Sequence, residues 1–177
     1  MNIKRLETSR LFHRFGFGPR PGEYAQALKD GVPTTRTRLT TVPVTLTTST
    51  PVALPAITDL GKRPKDKTPE SVPFALAMRN QTQQIGLWWL DMMALSDHGL
   101  TERMVWFWHG HWATSIQKLN YALPMYKQNQ LFRTHALGNF NAMTKAMLND
   151  GALQFWLDGQ DNTAKAPNEN LGRELME

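Results

Sequence analysis

Between Pro73 and Leu95, the positions Phe74, Met78, Gln81, Ile85, Trp88, Met92 and Leu95 recur at alternating spacings of four and three, all apolar except Gln81. That period puts their side chains on one face of a 3.6-residue helix, so the stretch predicts an amphipathic helix beginning after Pro73. Ser96-Asp97-His98-Gly99 breaks the pattern, and a second helix is predicted over roughly 101–117. A third covers roughly 123–137 and stops at Gly138; Asn139 then caps a helix over "FNAMTKAMLN". "ALQFWLD" adds a turn or two before Gly159, and the closing "NENLGRELME" reads as helical with Asn168 as its N-cap. Near the start, "LETSRLFHRF" predicts a short helix closed by Gly16, Gly18 and Pro19, and "PGEYAQALKDG" a second with Gly31 as its stop.

Residues 32–73 interrupt this regularity. They are rich in Thr and Pro and carry no sustained period, and Pro43 argues against a strand over Val42–Leu46, so a solvated linker is expected. The pattern divides the chain into an N-terminal helical hairpin (1–31), a Thr/Pro-rich loop or linker (32–73) and a helical core segment (74–177). The fold class is all-α, an irregular multi-helix array. Leu171, Leu175 and Met176 open an apolar face that the chain does not continue, so the array is expected to be part of a larger helical domain.

Composition narrows the chemistry. The chain of 177 residues has no cysteine, which excludes disulfides, thiolate nucleophiles and cysteine-ligated metals. Its net charge of +5 is thinly spread, and the densest basic run, Lys62-Arg63 with Lys65 and Lys67, lies apart from the aromatic residues. Nucleic-acid binding calls for basic groups gathered on one face and interleaved with aromatics, so nucleic acid is disfavoured as a partner. No apolar run is long enough to span a bilayer and no secretory leader is visible, so a soluble chain is expected; the compartment stays open.

"WFWHGHW" (106–112) raises the question of a metal site. On an α-helix, residues two apart point about 200° away from each other, so His109 and His111 do not bind one ion from an unbroken helix. His109 shares a face with Val105, Trp112 and Ile116, His111 with Met104, Trp108 and Ser115; with both faces apolar, this helix is expected to be buried all round. Two readings stand: each imidazole hydrogen-bonds a different neighbour in the core, or one of them faces a polar pocket built with a later segment.

The segment "DGQDNTAKAPNE" (158–169) presents oxygen ligands at intervals. With Asp158 as the first position, Asn162 is the fifth and Glu169 the twelfth, as in a helix–loop–helix calcium loop. Thr163 stands where such a loop turns on Gly. The alternative is capping: Asp158-Gly159 ends one helix, and Asn168 with Glu169 starts the next. Beyond it, Glu169–Arg173 and Arg173–Glu177 are i,i+4 pairs.

"ERMVWFWHGHWATS", "HALGNF" and above all "PNENLGRELME" resemble the bacterial family known as domain of unknown function 1800, and the resemblance runs from "RLFHRFGFGP" to the last residue with the Thr/Pro insert unaccounted for. It implies family histidines at His109 and His111, an arginine and histidine at Arg133 and His135, and polar residues at Asp158 and Asn162. It also implies a terminal cluster at Asn168, Glu169, Asn170, Arg173, Glu174 and Glu177. Gly110, Trp112 and Leu171-Gly172 depart from the family pattern without removing a charged group. The resemblance implies longer proteins, often exported, and brings no established reaction.

Two functions follow as expectations. In the first, His109 or His111 faces Asp158, Glu169 and Glu174 while Arg173 orients them. His109, His111, Arg173 and Glu174 then form a hydrolase-like site, and Asp158, Asn162 and Glu169 hold Ca2+ or another divalent cation, with no organic cofactor. In the second, the same residues are structural, and the chain is a binding or assembly module with a protein partner. An open cleft marks the first; a closed, fully paired network marks the second.

Overall fold

The computed structural model describes residues 3–41, 52–53 and 55–176. The stretch 42–46, where linker was expected in preference to strand, and the Arg173–Glu177 pair lie outside the described residues. Those residues form ten α-helices and no sheet, an all-α array.

Three short helices open the chain: α1 (Ile3–Arg14), α2 (Glu23–Asp30) and α3 (Val32–Thr40), each packed on the other two. The third departs from expectation, because its residues were read as linker. Threonines are poor helix formers, and the pattern of α3 is correspondingly weak. Tertiary contacts decide instead: Thr35 is buried against α2, and Arg38 bonds Glu23 at 2.7 Å while its guanidinium lies 5.9 Å from the Phe12 ring. Gly31, at φ 86°, makes the left-handed step between α2 and α3.

Two features stand out among the contacts that dock this unit on the rest, which also include Phe17 against Trp106 and Arg103. Arg20 pairs with Asp97, and the chain at Gly16 passes directly against Gly99. A Cβ on Gly99 would sit 3.1 Å from the Phe15 carbonyl oxygen and 3.2 Å from the Gly16 Cα, so the close approach requires a residue without a side chain.

The body is built from α4 (Ser71–Leu95), α5 (Gly99–His111), α6 (Ile116–Leu119), α7 (Ala122–His135), α8 (Phe140–Met147) and α9 (Gly151–Trp156), with α10 (Asn170–Met176) at the end. The predicted stripe of α4 does turn inward at Gln81, Ile85, Trp88 and Met92. The helix starts three residues before the expected Phe74, since Pro73 falls in the first turn, where its missing N–H has no intrahelical partner to lose. Asn139 caps α8 by accepting from the Ala142 N–H, as its position predicts.

The helix carrying the histidines differs from expectation twice. It ends at His111, not near 117, because Ala113 takes a left-handed φ of 42° and Ser115 then caps the separate short α6. Nor is it buried all round: Trp106 and Phe107 are 52% and 54% exposed, and Gly110 and His111 are also exposed. A helix with apolar residues on every face hides which side is inward.

Helix α7 is central, packing against α4, α5, α8 and α9. One core cluster gathers Val105, Phe132, Met143, Met147 and Leu153; the other gathers Ile85, Trp88, Met92, Met125 and Ala152. Between them runs a buried ion pair. Arg133 donates from Nε and Nη2 to the two carboxylate oxygens of Glu102 at 2.6 and 2.8 Å, with side chains 6% and 1% exposed. The guanidinium also lies 5.2 Å from the Trp88 ring.

Removing one partner strands a buried charge, whereas removing both does not. Arg133→Met is therefore expected to lower unfolding free energy by about 3–5 kcal/mol in chemical denaturation, and Glu102→Leu combined with Arg133→Met to recover most of it. A single variant as stable as the parent would show that the pair does not hold α5 on α7.

Candidate functional site

The residues singled out from the sequence do not form one cluster. His109 is half-buried on α5, His111 is exposed one turn face away, and Glu169, Arg173 and Glu174 are exposed around the start of α10. Among the described residues, no three His, Asp or Glu side chains come together in a way that could hold a metal ion. The expectation that each imidazole hydrogen-bonds a core neighbour also differs from what is seen. The His111 ring lies on the surface beside Trp108 and Phe140, and the His109 ring meets Trp89 and Phe132 edge-on, at 4.9 and 6.4 Å between centroids.

The 158–169 loop is closed by its own groups. Asp158 takes a left-handed φ of 56° after α9, and its carboxylate accepts from Lys118 at 2.7 Å. A single 3₁₀ turn, Gly159–Asp161, follows, then a bridge between Thr163 and Ala166. Asn168 ties the ends together: its Nδ2 donates to the carbonyls of Leu157 and Asp158, its N–H to Asn162 Oδ1, and its Oδ1 accepts from the Asn170 N–H. Asn168 thus acts at the helix start, where the sequence put it, and reaches back across the loop as well.

The polar groups that packing does bury were not the ones singled out, apart from Arg133 in the family comparison. Gln128 on α7 donates to Asp150 at 2.7 Å and accepts from Thr114 at 2.5 Å. Asp150 also caps α9 through the Leu153 N–H. Burial raises the Asp150 carboxyl above its usual range, against hydrogen bonds from the Leu153 N–H, Gln128 and the Ala152 N–H. Glu102, which reads in sequence as an ordinary first-turn acid of α5, is the buried partner of Arg133. The available signal was the polar trio Gln128, Asn129 and Arg133 at positions in phase with Met125, Phe132 and Ala136.

A pocket of about 200 Å³ opens between α4, α5 and α7. Ile85, Trp89 and Met125 supply apolar walls, and His109, Thr114 and Asn129 supply polar atoms. His109 is thus the one predicted site residue that faces a pocket built with a later segment. Burial alone holds its imidazole pKa below the ordinary 6.5, with no compensating charge beside it.

The family model described as "Protein of unknown function (DUF1800)" matches residues 10–177, and the chain belongs to that family. No curated protein and no solved structure gives a match. Among the described residues, no helix is long and apolar enough to cross a membrane.

The depressed His109 pKa has a consequence for stability. As pH falls, the unfolded chain takes up this proton first, so the contribution is complete above the unfolded value of about 6.5 and is lost on acidification through it. His109→Phe is expected to flatten the decline of Tm between about pH 7.5 and pH 5. An unchanged pH profile would show that His109 titrates as freely as it does in the unfolded chain.

Proposed function

We propose that this chain is a helical binding module whose buried polar residues are structural, acting by recognition and not by turnover. One observation carries this reading: the buried carboxylates already have fixed partners within the fold. Glu102 is held by two nitrogens of Arg133, and Asp150 by Gln128 and the Leu153 N–H. A general acid or base must reach the atom it protonates or deprotonates; Glu102 is enclosed, and Asp150, although it lines a second pocket of about 390 Å³ beside Gln81 and Tyr121, has its Oδ1 committed to Gln128 and the Leu153 N–H. The pocket bearing His109 has no carboxylate in its lining.

The second reading keeps the hydrolase-like cluster of His109, His111, Arg173 and Glu174 with a divalent cation on Asp158, Asn162 and Glu169. Its support is that Asn168 draws Asn162 and the Leu157 and Asp158 carbonyls toward one another. Against it, those oxygens are engaged by Asn168, and the Asp158 carboxylate is engaged by Lys118. A cation entering the loop would have to displace an ammonium group and several hydrogen bonds. The capping reading requires no such rearrangement.

Calorimetric titration with calcium chloride, run beside thermal melting, separates the two. The module reading expects neither saturable heat nor a rise in Tm, for the parent or for Glu169→Gln. Saturable binding that Glu169→Gln abolishes would overturn it and restore the loop as a cation site. Binding that survives Glu169→Gln would also overturn it, placing the cation on other ligands.

A further inference from the structure

The middle of α7 buries three polar side chains, and two of them have side-chain partners, although Arg133 Nη1 is left without one among the described residues. Gln128 bonds Thr114 and Asp150, and Arg133 bonds Glu102. The third, Asn129, is only 5% exposed, and among the described residues its Oδ1 has no hydrogen-bond partner. An unpaired buried carboxamide is destabilising, and a leucine of similar size would remove the penalty. Asn129 therefore does nothing for the fold that an apolar residue would not do better. Its side chain lines the pocket that His109 also lines. With no hydrogen bond fixing it, the amide is free to turn its oxygen or its nitrogen toward an occupant.

The pocket restricts what that occupant is. No Asp, Glu, Lys or Arg lines it, so an ion entering it would lose hydration without meeting a counter-charge. His109 offers no cation either, since burial favours the neutral imidazole. At about 200 Å³ it lies below the roughly 300–1,000 Å³ of sites for drug-sized molecules, which fits a single ring with a short substituent. Ile85, Met125 and the Trp89 indole supply surfaces for a ring, and the Trp89 Nε1–H, buried without a partner among the described residues, adds a further donor. The Asn129 carboxamide carries both an acceptor and donors, and the group that answers both in one plane is another carboxamide.

We propose that the α4–α5–α7 pocket binds a small uncharged molecule made of an apolar ring and one carboxamide-like group, with Asn129 as its principal polar contact and His109 as the second. This rests on the binding-module reading and names the ligand class for it. Ligand binding then supplies the partner that Asn129 lacks in the unliganded fold.

Gly86 provides a control that leaves the core alone. It sits on α4 at the pocket, and a Cβ built there meets nothing within 4 Å. Gly86→Leu is therefore expected to add bulk at the pocket from a Cβ that meets no neighbour and to favour the helix. The experiment is an NMR titration of the full chain with benzamide, benzoate and toluene, following the His109 ring and the Trp indole signals, with Tm measured for each variant. Benzamide is expected to saturate, with benzoate and toluene each about tenfold weaker or more. Asn129→Leu is expected to weaken benzamide about tenfold while melting no lower than the parent, and Gly86→Leu to abolish binding while remaining folded. Benzoate binding as tightly as benzamide, benzamide binding untouched by both variants, or no saturable binding of any probe would each overturn the ligand assignment. None of those results restores a cation site; that reading stands or falls on the calcium titration.

Discussion

Arg133 enters the core with Nε and Nη2 on the two carboxylate oxygens of Glu102, and this bidentate contact sets how α5 lies on α7. Two parallel hydrogen bonds fix distance and orientation together, which apolar packing between Val105 and Phe132 would leave looser. Desolvating both charges is costly, so the pair is poor evidence for net stability and better evidence for a unique register. The rest of the site follows from that register. His109 lies two turns after Glu102 on the same face of α5, and Asn129 one turn before Arg133 on the same face of α7. Holding Glu102 on Arg133 thus places the imidazole and the free carboxamide on the facing sides of two helices, with α4 as the third wall.

Some of this architecture was readable from the chain alone, for physical reasons. The stripe of α4 could be read because its inward positions differ in polarity from their neighbours, and the start of α8 because Asn139 accepts from an N–H three residues away. Local chemistry settles such features. Helix α3 was not legible, because its threonines give no helical signal, and what holds it is Arg38 reaching Glu23 and Phe12 on two other helices. Helix α5 failed in the opposite sense: with apolar residues on every face, the pattern cannot say that Trp106 and Phe107 turn outward while Val105 turns in.

The same division applies to the candidate site. The two-residue spacing of His109 and His111 already required that they part company, and they do: His109 lines the pocket between α4, α5 and α7, while His111 is exposed on the other side of α5 beside Phe107. The partners were not legible. Glu102 and Arg133 are 31 residues apart, and Gln128 and Asp150 are 22 apart, so their pairing depends on helix packing that no local spacing encodes. The acidic and amide residues of 158–169 attracted notice because they are close in sequence. Closeness in sequence is what lets Asn168 tie the loop to itself.

Gln128 and Asn129 bring the difference between a structural and an available polar group into two adjacent residues. Both carry carboxamides, both are buried, and both sit on the central helix. The first bonds Thr114 and Asp150 and so links the turn after α5 to the cap of α9; removing it would leave those two groups without their partner. The second bonds nothing among the described residues and borders an uncharged pocket beside a neutral imidazole. Burial alone therefore does not mark a residue as functional, and neither does polarity. What distinguishes Asn129 from Gln128 is a capacity for hydrogen bonding that the fold has desolvated and not used, facing a space large enough for a group that could use it.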